Sequence, residues 1–309
     1  MSFGSSAPGS IGVEEELFLV DSETLEPVPL SAAVVPEPGP RIKHELFASV
    51  VEVTTRICAD AGEALEELRK LRSDVAERAA EHGATILAAG THPTARGADQ
   101  RVADDPLYRE IARQLGPALE RQFVCGLHVH VSVPDEETCL LALEGVLPSL
   151  PDVLALSANS PFVEGVESGL RSARADALLA LPTGGAPPVF RTWADWEATT
   201  AGFDYRRLHW DIRPHPDYGT LEVRIADQQT EVRRSAALAG MIQQLVLSAV
   251  NAEAEPYDRD LYAERRARAA GAPSKGALVG QRPEAERQLE IGLPGAVRDL
   301  AERSLAWPP

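Results

Sequence analysis

Residues 126–132 read Gly-Leu-His-Val-His-Val-Ser, and this strict alternation constrains the chain more than any other stretch. Side chains on a strand point alternately to opposite faces. Leu127, Val129 and Val131 therefore line one face, and His128, His130 and Ser132 the other. Two imidazoles two residues apart on one strand can both reach a single bound ion or phosphate. Three further segments repeat the pattern. Gly12–Leu17 presents Glu14 and Glu16 together, Val50–Thr54 presents Glu52 and Thr54, and Leu221–Ile225 presents Glu222 and Arg224. Each strand is apolar on one side and carries ligand chemistry on the other.

Antiparallel sheets often wet one face, and alternation then means only solvent exposure. Here, however, the polar positions are mainly Glu and His, and Glu is depleted in strands. Two carboxylates ~4 Å apart repel by ~4 kcal/mol at an effective dielectric near ~20. Glu14, Glu16, Glu52 and Glu222 on one face are costly without cations, and hard carboxylate oxygens favour Mg²⁺ or Mn²⁺.

A chain of 309 residues, 44% hydrophobic, suits one large domain or a domain with an appendage. A net charge of −17, a pI near 4.9 and no basic run argue against a nucleic-acid or anionic membrane surface. An anionic substrate can still bind where metal and a few local arginines reverse the field. No run approaches the ~18 consecutive apolar residues of a membrane span, and the first residues lack signal-peptide character. Cys58, Cys125 and Cys139 have no CxxC spacing, as expected of reduced thiols in a cytoplasmic protein; Cys125 reads as a small buried filler.

The pattern predicts a first strand over 11–20 and a second strand region over 43–57. A helix over 61–82 follows, capped by Asp60 and stopped by Gly83. A strand at 84–89, a helix over roughly 105–121 and a helical stretch over 136–157, broken near Pro148 and Pro151, come next. Residues 158–200 read as loop-rich. A hairpin over 208–226, a helix over 231–252 and a polar helical remainder complete the chain. Unequal helices between strands, without a βαβ rhythm, indicate α+β with an antiparallel sheet.

On seven motifs in order, the chain resembles the carboxylate–amine ligase, or glutamate–cysteine ligase type 2, family of the glutamine synthetase superfamily. They are GVEEELFLVD (12–21), KHELFASVVEVTT (43–55), AGTHPTA (89–95), CGLHVHVSVPD (125–135), LALSANSPF (154–162), Ser172-Ala173-Arg174 and WDIRPHPDYGTLEVRIAD (210–227). The resemblance implies a glutamine-synthetase-like curved sheet of about six antiparallel strands with helices on its outer face. It also implies a single catalytic domain over 1–309, with a family-like core at about 11–250 and a divergent, shortened helical segment at 251–309.

The resemblance further implies how the polar face is divided. Glu16, Glu45 and Glu52 would hold one metal near the acceptor carboxylate; Glu14, His128 and Glu222 would hold a second near the ATP phosphates. Arg224 would neutralise phosphate charge, and Arg174 and Arg213 would bind phosphate or a substrate carboxylate. His130 would contact substrate, with Ser132 beside it on the nucleotide side. Glu15, on the opposite face, is excluded as a ligand and expected in a rim ion pair, insensitive to replacement by Gln. His44 and His82 read as surface residues, His215 as rim, His92 as a turn cap near the site and Arg171 as an exposed helper.

Joining a carboxylate to an amine needs the departing oxygen converted to phosphate, after which the amine attacks the acyl phosphate. Both steps concentrate negative charge, which cations and arginines can stabilise with little covalent chemistry from the protein. The chain has no GxxxxGK[ST] loop and no GxGxxG, so ATP is expected on the polar sheet face. The expected reaction is ATP- and Mg²⁺-dependent amide formation through a γ-glutamyl phosphate-type intermediate, joining glutamate to cysteine or another amine. The expected partners are small molecules, with room for a homo-oligomer. Tyr262–Gly271 lacks the family's Asn and aromatic residue, leaving Arg265, Arg266 and Arg268 as candidate substitutes and the acceptor open. The alternatives are a non-catalytic paralogue that binds nucleotide or amino acid, and a metal-dependent hydrolase with one open metal site and no need for ATP.

Overall fold

The computed structural model describes residues 2–251, 255–271 and 284–306. Among them, seven strands form one antiparallel sheet. These are β1 (Ile11–Asp21), β2 (Ile42–His44), β3 (Val50–Thr54), β4 (Ala84–Leu87), β5 (Gly126–Ser132), and β8 (Ile212–His215) with β9 (Thr220–Asp227). The order is β2-β3-β1-β5-β9-β8, and β4 pairs with the second half of β1. A separate hairpin joins β6 (Phe162–Val163) and β7 (Val166–Glu167). The count exceeds six because the expected strand region 43–57 is two strands, with Glu45 in the connection between them.

The predicted helices form where caps and periodicity place them. Asp60 accepts from the backbone N–H groups of Gly62 and Glu63 and opens the helix Ala61–Ala80. Asp105 caps a shorter helix than expected, Pro106–Leu115, because Gly116 turns at positive φ and a 3₁₀ segment continues to Gln122. The stretch 136–157 breaks at its prolines into Glu136–Val146 and Leu150–Ser157. The loop-rich stretch 158–200 holds two short helices, Ala173–Leu178 and Trp193–Thr200.

Alternation sorts the sheet into faces. Val13, Leu127, Val129, Val131, Leu221 and Val223 bury against Leu68, Leu143, Val146, Leu154, Leu238 and Ile242 of the covering helices. Glu136–Ser157 is long and apolar enough to span a membrane by length and composition, but 61% of its apolar window is buried inside the protein. On the other face of β1, the positions continuing from Glu14 and Glu16 are Phe18 and Val20. They pack with Phe47, Phe123, Leu87 and, from the helix Leu293–Ser304, Leu300. The polar face is thus polar over half its length and closed by a second core over the rest. Residues beyond 251 take part in that closure: Ser304 Oγ accepts from the Ala88 N–H at 2.8 Å, and Gln288 Nε2 donates to Asn159 Oδ1 at 2.6 Å.

Glu15 departs from the expected rim ion pair. Its carboxylate and the Arg72 guanidinium are both fully buried, with Nε–Oε2 at 2.7 Å and Nη2–Oε1 at 2.6 Å. Gln228 Nε2 donates to the same carboxylate at 2.9 Å, and Ser235 Oγ also donates. The reason is topological: β1 lies inside the sheet and helices cover its odd-numbered face, so that face has no rim. Glu15→Gln leaves a buried guanidinium without its counter-charge. It is therefore expected to cost about 3–5 kcal/mol of stability, measured as a lowered urea midpoint with unchanged slope.

Candidate active site

Directly opposed residues on neighbouring antiparallel strands share a face, and the register turns the motifs into rows. Lys43 faces Glu52 and Glu52 faces Glu16. Thr54 faces Glu14 and Glu14 faces His128. Gly12 faces His130, His130 faces Glu222 and Glu222 faces Arg213. Between Leu127 and Val129 the β5–β9 register shifts, so Arg224 and Ile225 together oppose His128. The bulge keeps Arg224 on the polar face, with Nη1 3.4 Å from His128 Nδ1, while Ile225 and Ala226 both enter the core. Simple alternation would have left Ala226 on the polar side.

Two groups of three donors result. Glu16, Glu45 and Glu52 each bring a carboxylate oxygen within 4.8 Å of the others. Glu14, His130 and Glu222 form a second such group. His130 Nε2 lies 3.5 Å from Glu14 Oε1 and 3.9 Å from Glu222 Oε1. His128 sits between the groups, Nδ1 3.3 Å from Glu14 Oε2 and Nε2 3.9 Å from Glu16 Oε1. The geometry thus groups His130 with Glu14 and Glu222, where the resemblance implied His128. The Nε2 atoms of both histidines and Oγ of Ser132 are buried without hydrogen-bond partners among the described residues. His130 Nδ1 lies 2.9 Å from Thr220 Oγ1, which fixes the ring with Nε2 toward the carboxylates.

The arginines divide differently from expectation. Arg213 is largely consumed by the fold: Nε and Nη2 meet Glu222 at 2.5 and 3.3 Å, and Nη1 meets the carbonyls of Tyr205, Arg206 and Leu208. Arg224 pairs with Glu222 from the other side. Arg174, just inside the helix that Ser172 caps, donates to the Arg224 and Ile225 carbonyls at 3.2 and 3.3 Å and so satisfies the bulge. Its Nε has no partner among the described residues. A Cβ at position 126 would lie 2.1 Å from Arg174 Nη2, so a larger residue there would have to displace that guanidinium.

Other expectations are corrected. His215 is buried at 6% exposure, stacked on Tyr218 at 4.2 Å and edge-on to His130 at 5.2 Å, because its turn folds over β5 and leaves it off the rim. His92, as expected, caps a turn: Nδ1 accepts from the Ala95 N–H and Nε2 meets the Leu25 carbonyl. The LALSANSPF motif serves the fold, since Asn159 N–H and the Ser160 hydroxyl donate to buried Asp227. Of the tail arginines, Arg266 clamps Asp211, Arg265 lies 3.6 Å from Asp152 and Arg268 pairs with Glu264. Arg266 is thus committed to a buried structural carboxylate, whereas the partners of Arg265 and Arg268 are exposed. Lys43 escaped the sequence reading; its Nζ lies 2.8 Å from Glu52 Oε1. The signal was present, because Lys43 and Glu45 flank His44 in the same motif.

The electrostatics are uneven. Burial acts to raise Glu14, but the adjacent His128 and His130 hold it well below the usual carboxylate range. At Glu222 burial is likewise outweighed, by Arg213 and Arg224. In the other group burial wins: Glu52 is raised well above its usual range by burial and Glu14, and Glu45 is pushed up to about 7 by burial and Glu16. Burial, then the Arg224 charge, lowers His128, favouring a neutral imidazole with a free lone pair.

The model of glutamate-cysteine ligase family 2 matches residues 10–288. This chain belongs to glutamate-cysteine ligase family 2. It is accordingly a ligase of the carboxylate–amine type. Two Rubrobacter xylanophilus family members, provisionally named glutamate–cysteine ligases 2-1 and 2-3, are similar to it. The first is 39% identical over 274 residues, covering 84% of this chain and 73% of its own. The second is 37% identical over 314 residues, covering 97% and 86%. Among solved structures, a glutamate–cysteine ligase of Francisella tularensis in complex with AMP superposes with a TM-score of 0.63 at 14% identity, covering 99% of this chain and 81% of that one. A bifunctional glutathione synthetase of Pasteurella multocida gives 0.60 at 15%, covering 96% and 46%. At these identities the structures bear on the fold alone, which this chain shares with those two solved ligases.

The raised Glu45 pKa has a measurable sign in this family member. Its ordinary value is 4.5 and its folded value about 7, so the native state holds the proton more tightly. Its contribution to stability is full below the ordinary value and is lost as pH rises through the folded one. Between about pH 5 and 8 with chelator present, wild type is expected to lose more stability than Glu45→Gln, measured by urea unfolding at each pH.

Proposed function

We propose that this protein is an ATP- and Mg²⁺-dependent ligase, with Mn²⁺ as an alternative ion, that activates a glutamate-like γ-carboxylate as an acyl phosphate and transfers it to an amine. The single observation that carries the proposal is the pair of three-donor groups side by side on one sheet face, with Arg224 against Glu222. The donor set suits hard divalent cations, being five carboxylates and imidazole. Its buried His128 and His130 Nε2 atoms lack hydrogen-bond partners among the described residues, and its Glu45 and Glu52 carboxylates resist ionisation without added positive charge.

Glu16, Glu45 and Glu52 would hold one ion, and Glu14 and Glu222 with His130 or His128 the other. Bound there, the ions would supply charge neutralisation for the transferring phosphoryl group. Arg224 extends the positive field toward the phosphates, while Arg213 and Arg174 orient Glu222 and the β9 bulge. His130, held by Thr220, and Ser132 face the nucleotide side. The AMP bound by the Francisella ligase supports a nucleotide in this fold. The proposal extends to one catalytic unit in the cytoplasm acting on small molecules, with cysteine the first acceptor to test.

The test is ADP release with Mg²⁺, glutamate and a panel of amines. Turnover that needs both glutamate and an amine supports the ligase; Mg-ATP binding without ADP release would instead support the non-catalytic paralogue. Glu222→Gln keeps size but removes the charge that orients Arg213 and Arg224 and would bind metal. A loss of about two to three orders of magnitude in turnover is expected, at ~1.4 kcal/mol per tenfold. Arg224→Lys keeps the charge but loses the planar fork and should also be strongly impaired. Near-wild-type rates in both variants would remove the site from this face.

A further inference from the structure

We propose that Arg72 is a positioning residue for this site: from the opposite face of the sheet it fixes the register of β1, and so sets where Glu14 and Glu16 meet their partners. The inference rests on the two-metal reading above and concerns a side chain that touches none of the proposed ligands.

Alternation protects a strand from slipping by one residue, which would exchange its faces. It does not protect against a slip of two. In β1 a two-residue slip keeps even positions on the polar face and odd ones against the helices, but it puts Glu16 where Glu14 belongs, opposite His128. The odd-numbered face reads Ile11, Val13, Glu15, Leu17, Leu19, so Glu15 is its one charged position before Asp21. A slip would carry that carboxylate into apolar surroundings and strand a fully buried guanidinium, which makes the pair a register mark.

Arg72 reaches further than β1. Besides gripping Glu15, it donates through Nη2 to the Gln229 carbonyl at 2.8 Å and through Nη1 to the Thr230 carbonyl at 2.6 Å. Those residues directly follow β9, which carries Glu222 and Arg224. Gln228 adds its donor to Glu15 from the same segment. One guanidinium therefore ties β1 to the end of β9 across the intervening β5, beyond what the backbone ladder provides. Both strands that bring carboxylates to the second group, Glu14 and Glu222, are referenced to it.

The experiment compares wild type, Arg72→Lys and Val75→Ala. Val75 is a buried apolar residue on the same helix, outside the clamp, and serves as a stability control. Mn²⁺ affinity is measured by calorimetry, β1 amide protection by hydrogen exchange, and folding by circular dichroism. Lysine keeps the charge but cannot grip carboxylate and carbonyls together. Arg72→Lys is expected to weaken Mn²⁺ binding on the order of tenfold, the scale seen when partners behind metal ligands are lost. It should also speed exchange at Glu14–Leu17, while Val75→Ala does neither at comparable loss of stability. If Arg72→Lys does not fold, Ser235→Ala, which removes one donor to Glu15, is expected to shift both readouts in the same direction by less. Unchanged Mn²⁺ affinity and unchanged β1 exchange in a folded clamp variant overturn the proposal. Failure of wild type itself to bind Mn²⁺ overturns the two-metal reading, and the exchange comparison then still decides the role of Arg72.

Discussion

Three consecutive glutamates on an interior strand are the constraint on which the structure depends. Glu14, Glu15 and Glu16 put negative charge on both faces of β1, and each face must supply compensation where water is scarce. On the helix side a single buried arginine does so, with amide and hydroxyl donors completing the carboxylate's shell. On the other side compensation is partial: His128 and His130 stabilise the Glu14 anion, while Glu45 and Glu52 are driven toward their neutral forms. That imbalance is what the proposed cations would relieve.

The rest of the fold follows from meeting this constraint. Helices cover the odd face and bury the clamp. The second core around Phe18, Phe123 and Leu300 closes the distal half of the even face and confines the polar region to the end carrying Glu14, Glu16 and the β5 histidines. The β9 bulge brings Arg224 beside His128, and Arg174 satisfies the bulge's carbonyls. Arginines that look alike in sequence thus take different tasks: Arg213 and Arg174 hold backbone and carboxylate in place, and Arg224 alone of the three stands between Glu222 and His128.

Most of the fold and most of the candidate ligands were legible in the sequence, for a definite reason. A period of two assigns faces without reference to any other strand, so the alternating segments identify Glu14, Glu16, Glu52, His128, His130 and Glu222 as neighbours on one surface. The caps at Asp60 and Asp105 act through adjacent backbone N–H groups and are equally local. The family motifs then agree with a family match spanning residues 10–288.

What the sequence could not determine was pairing over distance. Whether His128 or His130 stands with Glu14 and Glu222 depends on the inter-strand register and on a bulge that adds one residue to β9. Whether Glu15 lies at a rim or in the interior depends on β1 having strands on both sides and a helix above. The tasks of Arg213, Arg266 and His215 are set by carbonyls, a carboxylate and aromatic rings brought by other elements. Period and capping chemistry are written in neighbouring residues and survive without tertiary context. Register, burial and charge compensation arise only when distant segments meet, and there the tertiary structure alone decides.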